Sequence, residues 1–285
     1  MIDVTEIQKS ISMKRKLIRI NKIYTLARYH NPTTATFLLC MKYLTLAFLL
    51  VLSITAKSQE NESYYVFDAA WNPTKIDKAI FLLHTHKISD SCWQFDFYNF
   101  KGPLIKTERY LDQKGTTITG DSYHYNNKGV LDSTGTFHNG KRNGDFYRLT
   151  DLFKPKWKYV WREDSLISVT DLENLKKDSS ISYKDEKESD YPGGTTGWSN
   201  YLMKNLKYPD RAISYEISGQ VTVRFVVDRE GNVGDCYIAE SVEYSLDEEA
   251  LRIIKKSGKW TPAFQNDHYV KSYKSQPLKF KLNDK

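Results

Sequence analysis

The 285-residue sequence predicts an α+β fold, in which a β-rich antiparallel meander precedes a small domain built from a three-stranded antiparallel sheet with two helices on one face. Three observations carry that expectation. Between residues 59 and 170, aromatic and β-branched residues alternate between closely spaced turn signals, and no stretch has helical periodicity. Residues 171–190 are dominated by Lys, Asp, Glu and Ser, which bury too little apolar surface to offset chain entropy, so they read as a solvated linker. From residue 191 to 285 the apolar period switches between 3.6 and 2, which places helices and strands in one domain.

The formal net charge of +7 sits in the leader: residues 1–58 hold nine Lys or Arg and two Asp or Glu, whereas residues 59–285 carry 33 of each sign. A neutral body without a basic stripe lacks the electrostatic footprint of phosphate binding, so nucleic acid is excluded as a partner. Within the leader, Met41-Lys42 opens a short charged start, residues 43–55 are an apolar core, and Ala56-Lys57-Ser58 is a small-x-small cleavage signal. This predicts a signal peptide that starts at Met41 and is cleaved after Ser58, so that the exported chain begins at Gln59. The competing reading is a retained membrane anchor over residues 35–56, preceded by Lys9, Lys14, Arg15, Lys16, Arg19, Lys22 and Arg28. Lys42 interrupts that stretch and favours cleavage. Cys92 and Cys236 define no disulfide framework and read as unpaired, partly buried thiols.

In the meander, Trp93-Gln94-Phe95-Asp96-Phe97-Tyr98 alternates as a strand, with Trp93, Phe95 and Phe97 expected in the core. Thr116, Thr117, Thr119, Tyr123 and Tyr125 continue the pattern around Gly115 and Gly120. Turn signals recur at residues 99–103 and 126–129, at Asn139-Gly140 and at Asn143-Gly144. Residues 135–147, with a degraded copy starting at Gly120, resemble a MORN-type repeat, which implies an interaction surface. A plain β-meander accounts for the same spacing.

In the last domain, Trp198, Tyr201, Leu202 and Leu206 give residues 195–207 a helical apolar face, which Tyr208-Pro209 ends. Val221, Val223, Phe225 and Val227 alternate with Thr222, Arg224 and Asp228 as a half-buried strand. A turn at Gly231 leads to a second strand over residues 233–240. Ser245 is placed to cap a helix whose first turn holds Asp247, Glu248 and Glu249, whose buried stripe is Leu246, Ala250, Ile253 and Ile254, and which Gly258 ends. Trp260-Thr261-Pro262-Ala263 leads into a last strand where Leu278, Phe280 and Leu282 alternate with Lys279 and Lys281. Pro277 cannot donate to a ladder, which assigns that strand to an edge.

The order of Tyr191-Pro192-Gly193-Gly194, Leu206-Lys207-Tyr208-Pro209, the strand from Gly219 through Gly231, the helix at Leu246 and Trp260-Thr261-Pro262 resembles the C-terminal domain of the TonB family, in its Bacteroidetes-type version. The resemblance spans residues 191–285. It implies structural roles for Tyr191, Pro192, Gly193, Gly194, Tyr208, Pro209, Gly219, Gly231, Trp260 and Pro262. It also implies a periplasmic domain that takes the TonB-box peptide of an outer-membrane receptor as an added strand, in transport across the outer membrane. The corresponding edge holds Val270, Tyr273, Ser275, Gln276, Leu278, Phe280 and Leu282. Partners of the ExbB and ExbD type are implied if residues 35–56 anchor the chain in the inner membrane facing the periplasm. The sequence departs from the transducer pattern by lacking a Pro-rich spacer. A periplasmic scaffold without an energy-transducing role is therefore the alternative, and a homodimer stays open.

No G-x-S-x-G, H-E-x-x-H or phosphate loop is present, and the expectation is a protein without enzymatic activity or cofactor. His84-Thr85-His86 puts two imidazoles on one strand face, but no third ligand is close in sequence, so the two are expected as a surface pair with no metal. Glu248 and Glu249 are expected to serve the helix dipole.

Overall fold

Alternation in the first half of the chain is realised as a run of hairpins. In the computed structural model, which describes residues 61–151, 154–174 and 186–282, the strands are β1 (Glu62–Phe67), β2 (Phe81–Ser89), β3 (Cys92–Asn99), β4 (Leu104–Tyr110), β5 (Gly120–Tyr125), β6 (Leu131–His138), β7 (Lys141–Arg142), β8 (Gly144–Asp151), β9 (Lys154–Arg162) and β10 (Ser165–Asp171). They form one antiparallel sheet in the order β1-β2-β3-β4-β5-β6-β8-β9-β10, with β7 paired to β6. Asn139 and Gly140 have φ of 48° and 85°, the positive values that a two-residue hairpin turn needs between β6 and β7. The expected signal peptide, with its rival anchor, lies outside the described residues, as does the middle of the expected linker at 175–185.

The second half contains α1 (Gly194–Asn205), α2 (Asp210–Ser214), β11 (Gly219–Val227), β12 (Val233–Glu240), α3 (Tyr244–Lys255), β13 (Ala263–Gln265), β14 (His268–Val270) and β15 (Ser272–Phe280). β11 is central in a three-stranded antiparallel sheet of order β12-β11-β15, and β13 and β14 form a separate ribbon. The protein is thus α+β, as expected. Val221, Val223, Phe225 and Val227 are all at most 1% exposed and meet Leu246, Ala250, Ile253 and Ile254 from α3 and Trp198 from α1. Each such large side chain contributes about 1.5–3 kcal/mol of burial energy, an upper estimate because the unfolded chain already buries part of it.

Three local expectations are corrected. A five-residue helix, α2, follows Pro209, which starts this helix as its N-cap as well as ending the segment before it. The cap of α3 is Glu243, whose carboxylate accepts from the Ser245 amide at 2.8 Å and from its hydroxyl at 2.6 Å, so Ser245 is a donor inside the first turn. Trp260 does not lead straight into β15, because the β13–β14 ribbon intervenes.

The meander and the C-terminal sheet share one hydrophobic core. Leu82, Tyr98, Phe100 and Leu104 pack in the same cluster as Phe225, Ile238, Leu246 and Ile253. Polar bonds reinforce the contact: Tyr125 donates its hydroxyl to the Ile238 carbonyl, Leu104 donates its amide to Ser241 Oγ, both at 2.8 Å, and Arg211 donates to the Phe100 carbonyl. Tyr123 and Tyr237 stack at 4.9 Å. β3 therefore buries both faces. Trp93 and Phe95 lie on one, Phe97 half-buried beside them, while Asp96 and Tyr98 face the C-terminal domain.

The end of the expected linker is tied down at points, although Lys187, Glu188 and Asp190 stay exposed. Lys187 and Asp190 form β-bridges to Phe264 and Thr261, and Ser189 is buried, accepting from Ser272 Oγ at 2.8 Å. Cys92 and Cys236 are both free and half-buried.

Candidate functional site

The two edges of the C-terminal sheet differ. β12 meets the turn between β5 and β6: Ser241, just past the strand, donates its amide to the Gly129 carbonyl at 2.8 Å, and Glu240 bridges Val130. Gly129 has φ of +78°, and a Cβ there would lie 2.4 Å from the Ser241 carbonyl oxygen, so the close approach requires glycine. The opposite edge is β15, which pairs with β11 along its whole length and, among the described residues, with no strand on its other side.

Register sets which side chains of β15 face which way. Leu278 and Phe280, opposite Val221 and Gly219, are buried against the helices, while Tyr273, Ser275, Pro277 and Lys279 alternate with them on the exposed face. Tyr273 is 68% exposed. Gln276 is half-buried opposite Val223. Val270 belongs to β14, paired with Ala263, and Leu282 lies two residues past the end of β15. The seven residues expected at the edge therefore divide into five on β15 and two flanking it. At its start, a cleft of about 270 Å³ lies between Glu188-Ser189 and Val270, Ser272 and Lys274. Lys271 and Lys274 reach Asp235 and Glu188 at 3.8 and 3.5 Å.

The remaining motif residues hold the frame. Tyr191 makes ring contacts with Trp198, Tyr201 and Trp260 at 5.1 to 5.6 Å. Pro192 precedes Gly193 and Gly194, which enter α1 at φ of 80° and 61°. Tyr208 donates to the Ile217 carbonyl at 2.6 Å and lies edge-on to Phe280, next to Pro209. Gly219 begins β11 against Val242. Gly231 accepts from the Trp260 amide at 2.9 Å, and the Trp260 indole donates to Ser257 Oγ at 2.8 Å, two residues before Pro262.

Residues 204–282 match the family model described as Gram-negative bacterial TonB protein C-terminal. The segment is a TonB C-terminal domain. No curated protein and no solved structure matches the chain. TonB C-terminal domains are non-enzymatic interaction domains of the cell envelope that engage outer-membrane receptors. In this TonB C-terminal domain the match starts inside α1, so Tyr191, Pro192, Gly193 and Gly194 precede it. Among the described residues no helix is long and apolar enough to cross a membrane.

The expected surface histidine pair is overturned. His84 is 2% exposed and His86 is half-buried, and the strand register sets Asp96 of β3 directly opposite His84. Sequence distance hid that third group, which only the β2–β3 pairing brings near. Glu248 and Glu249 also do more than complement a dipole. Glu249 accepts from the Lys207 amide and from Arg252, both at 2.7 Å or less, and Glu248 faces His84 at 3.9 Å.

Proposed function

We propose that this protein docks a TonB-box-type peptide of an outer-membrane receptor along the outer edge of β15 by strand addition, from the periplasm, in transport across the outer membrane. One observation carries the reading: β12 is met at its Glu240 end by the turn of the meander, whereas β15, among the described residues, has no strand or bridge along its outer side. Unpaired N–H and C=O groups along an edge give backbone affinity that tolerates sequence change, and side chains on the exposed face add selectivity. Tyr273 supplies an aromatic contact, and Lys279 and Lys281 favour a peptide of neutral or acidic character.

A docking scaffold that does not transduce energy is the second reading, and the shared core favours it. The meander packs straight onto the domain, where a force-transmitting chain would set an extended spacer. Engagement of ExbB- and ExbD-type proteins would require residues 35–56 to be retained as an anchor. The test is an NMR titration of the full chain with TonB-box peptides. Shifts concentrated at residues 272–280, with the amides of β12 unmoved, support the proposal; saturation without shifts along β15 contradicts it.

A further inference from the structure

We infer that His84, His86 and Asp96 bind a divalent transition metal of the zinc class, and that Glu248 closes the site from α3, so that the metal clamps the meander to the TonB C-terminal domain. The three ligand atoms lie within 4.8 Å of one another. Strand geometry builds the set: His84 and His86 are two residues apart on β2 and share a face, and Asp96 is the cross-strand partner of His84 on β3. Asp96 Oδ2 is 3.8 Å from His84 Nδ1 and 3.7 Å from His86 Nδ1.

The two imidazoles are too far from Asp96 for direct hydrogen bonds to account for the cluster. Both Nδ1 atoms are buried and have no hydrogen-bond partner. His84 Nε2 lies 2.8 Å from Glu62 Oε1, and a carboxylate there assigns the proton to Nε2, which leaves the Nδ1 lone pair aimed at Asp96. That pairing of a carboxylate with the far nitrogen is how metal-bound imidazoles are oriented and made more basic. Asp96 is held from behind, its Oδ1 accepting from Thr107 Oγ1 at 2.7 Å and from Gln94 Nε2 at 3.1 Å, while Oδ2, which also accepts from Gln94 Nε2 at 3.2 Å, lies toward the imidazoles. Two buried imidazole nitrogens without a hydrogen-bond partner thus face one carboxylate oxygen, an arrangement that a cation relieves.

Distances and donors select the cation. At metal–ligand bonds of about 2.0–2.1 Å the two imidazole–Asp96 separations correspond to angles of roughly 130° and close to a tetrahedron with a contraction of about 0.4 Å, while the widest pair of the set, within 4.8 Å, has to draw in further as the ion binds. Two imidazoles and a carboxylate suit zinc and its neighbours, whereas magnesium and calcium prefer all-oxygen shells. Glu248 Oε1 is 3.9 Å from His84 Nδ1 and is the carboxylate that α3 presents here. The Tyr244 ring, 5.3 Å from that of His84, and Tyr64, stacked on His84 at 4.6 Å, cover His84, while the Glu248 side chain stays 40% exposed. With four protein ligands the site would be structural.

The test uses the untagged full chain, stripped with a chelator and titrated with Zn²⁺ and, separately, Co²⁺. The expected result is one equivalent of metal per chain, a visible absorption band of low-symmetry Co²⁺, and a metal-dependent rise in Tm. His86→Ala, at a half-buried position, and Asp96→Asn are expected to weaken Zn²⁺ binding at least about tenfold, and Glu62→Gln, through orientation of His84, by about 10–100-fold. Near-UV circular dichroism identifies variants that fold, and only those are compared. Absence of stoichiometric binding by the wild type, or equal affinity in folded His86→Ala, overturns the site. A Glu248→Gln chain that binds Zn²⁺ as tightly as wild type overturns the clamp.

Discussion

The Ser241 amide donates to the Gly129 carbonyl at 2.8 Å, and this bond ties the end of β12 to the meander. A turn residue of the meander thereby occupies one end of an edge strand in a sheet far along the chain. Gly129→Ala places a Cβ against the Ser241 carbonyl at a φ of +78°, and is expected to cost about 2–3 kcal/mol in urea unfolding.

Ser241 is also the acceptor for the Leu104 amide and a donor to Asp247. Ser241→Ala leaves a buried amide and a buried carboxyl each short of a partner, with an expected loss of about 1–3 kcal/mol. Hydrogen exchange gives the sharper check, because the Leu104 amide should lose protection while the core of β11 keeps it.

Tyr273 separates binding from folding. Because the side chain is 68% exposed, Tyr273→Ala should leave stability within about 0.5 kcal/mol and weaken the TonB-box peptide measurably by calorimetry. Unchanged affinity would remove Tyr273 from the docking surface.

Burial pushes the Cys236 thiol up to about 11, against a smaller opposing effect of Lys255. The reactive thiolate is then scarce at neutral pH and increases as pH rises. At pH 8 alkylation of Cys236 in the folded chain should be about two orders of magnitude slower than in the denatured chain, and should accelerate toward pH 11. Mass spectrometry of the modified peptide across that range reads the result.

Period-2 alternation made β11 and the buried end of β15 legible, since Val221, Val223, Phe225 and Val227 share one buried face and Leu278 and Phe280 another, although Thr222 and Val226 bury the second face of β11 as well. The 3.6-residue stripe of Leu246, Ala250, Ile253 and Ile254 did the same for α3. Features set by long-range pairing were not legible. β13 and β14 turn on Asn266-Asp267, at φ of 49° and 65°, without the Asn-Gly signal that marks a tight hairpin. α2 is too short for periodicity to register. The cap of α3 is a glutamate, which competes with the serine two residues later that the usual preference selects. Asp96 beside His84 follows from register between strands, and spacing along one strand carries no trace of it.

Strand addition at β15 is tested most directly by disulfide mapping. In a chain whose own cysteines are replaced by serine, cysteine at position 275 is paired with cysteine at successive positions of a TonB-box peptide. The account predicts cross-linking that peaks in one register and alternates with a period of two, and that is absent when the cysteine is moved to an exposed position of β12. Uniform cross-linking along the peptide, or equal yield at β12, would contradict it.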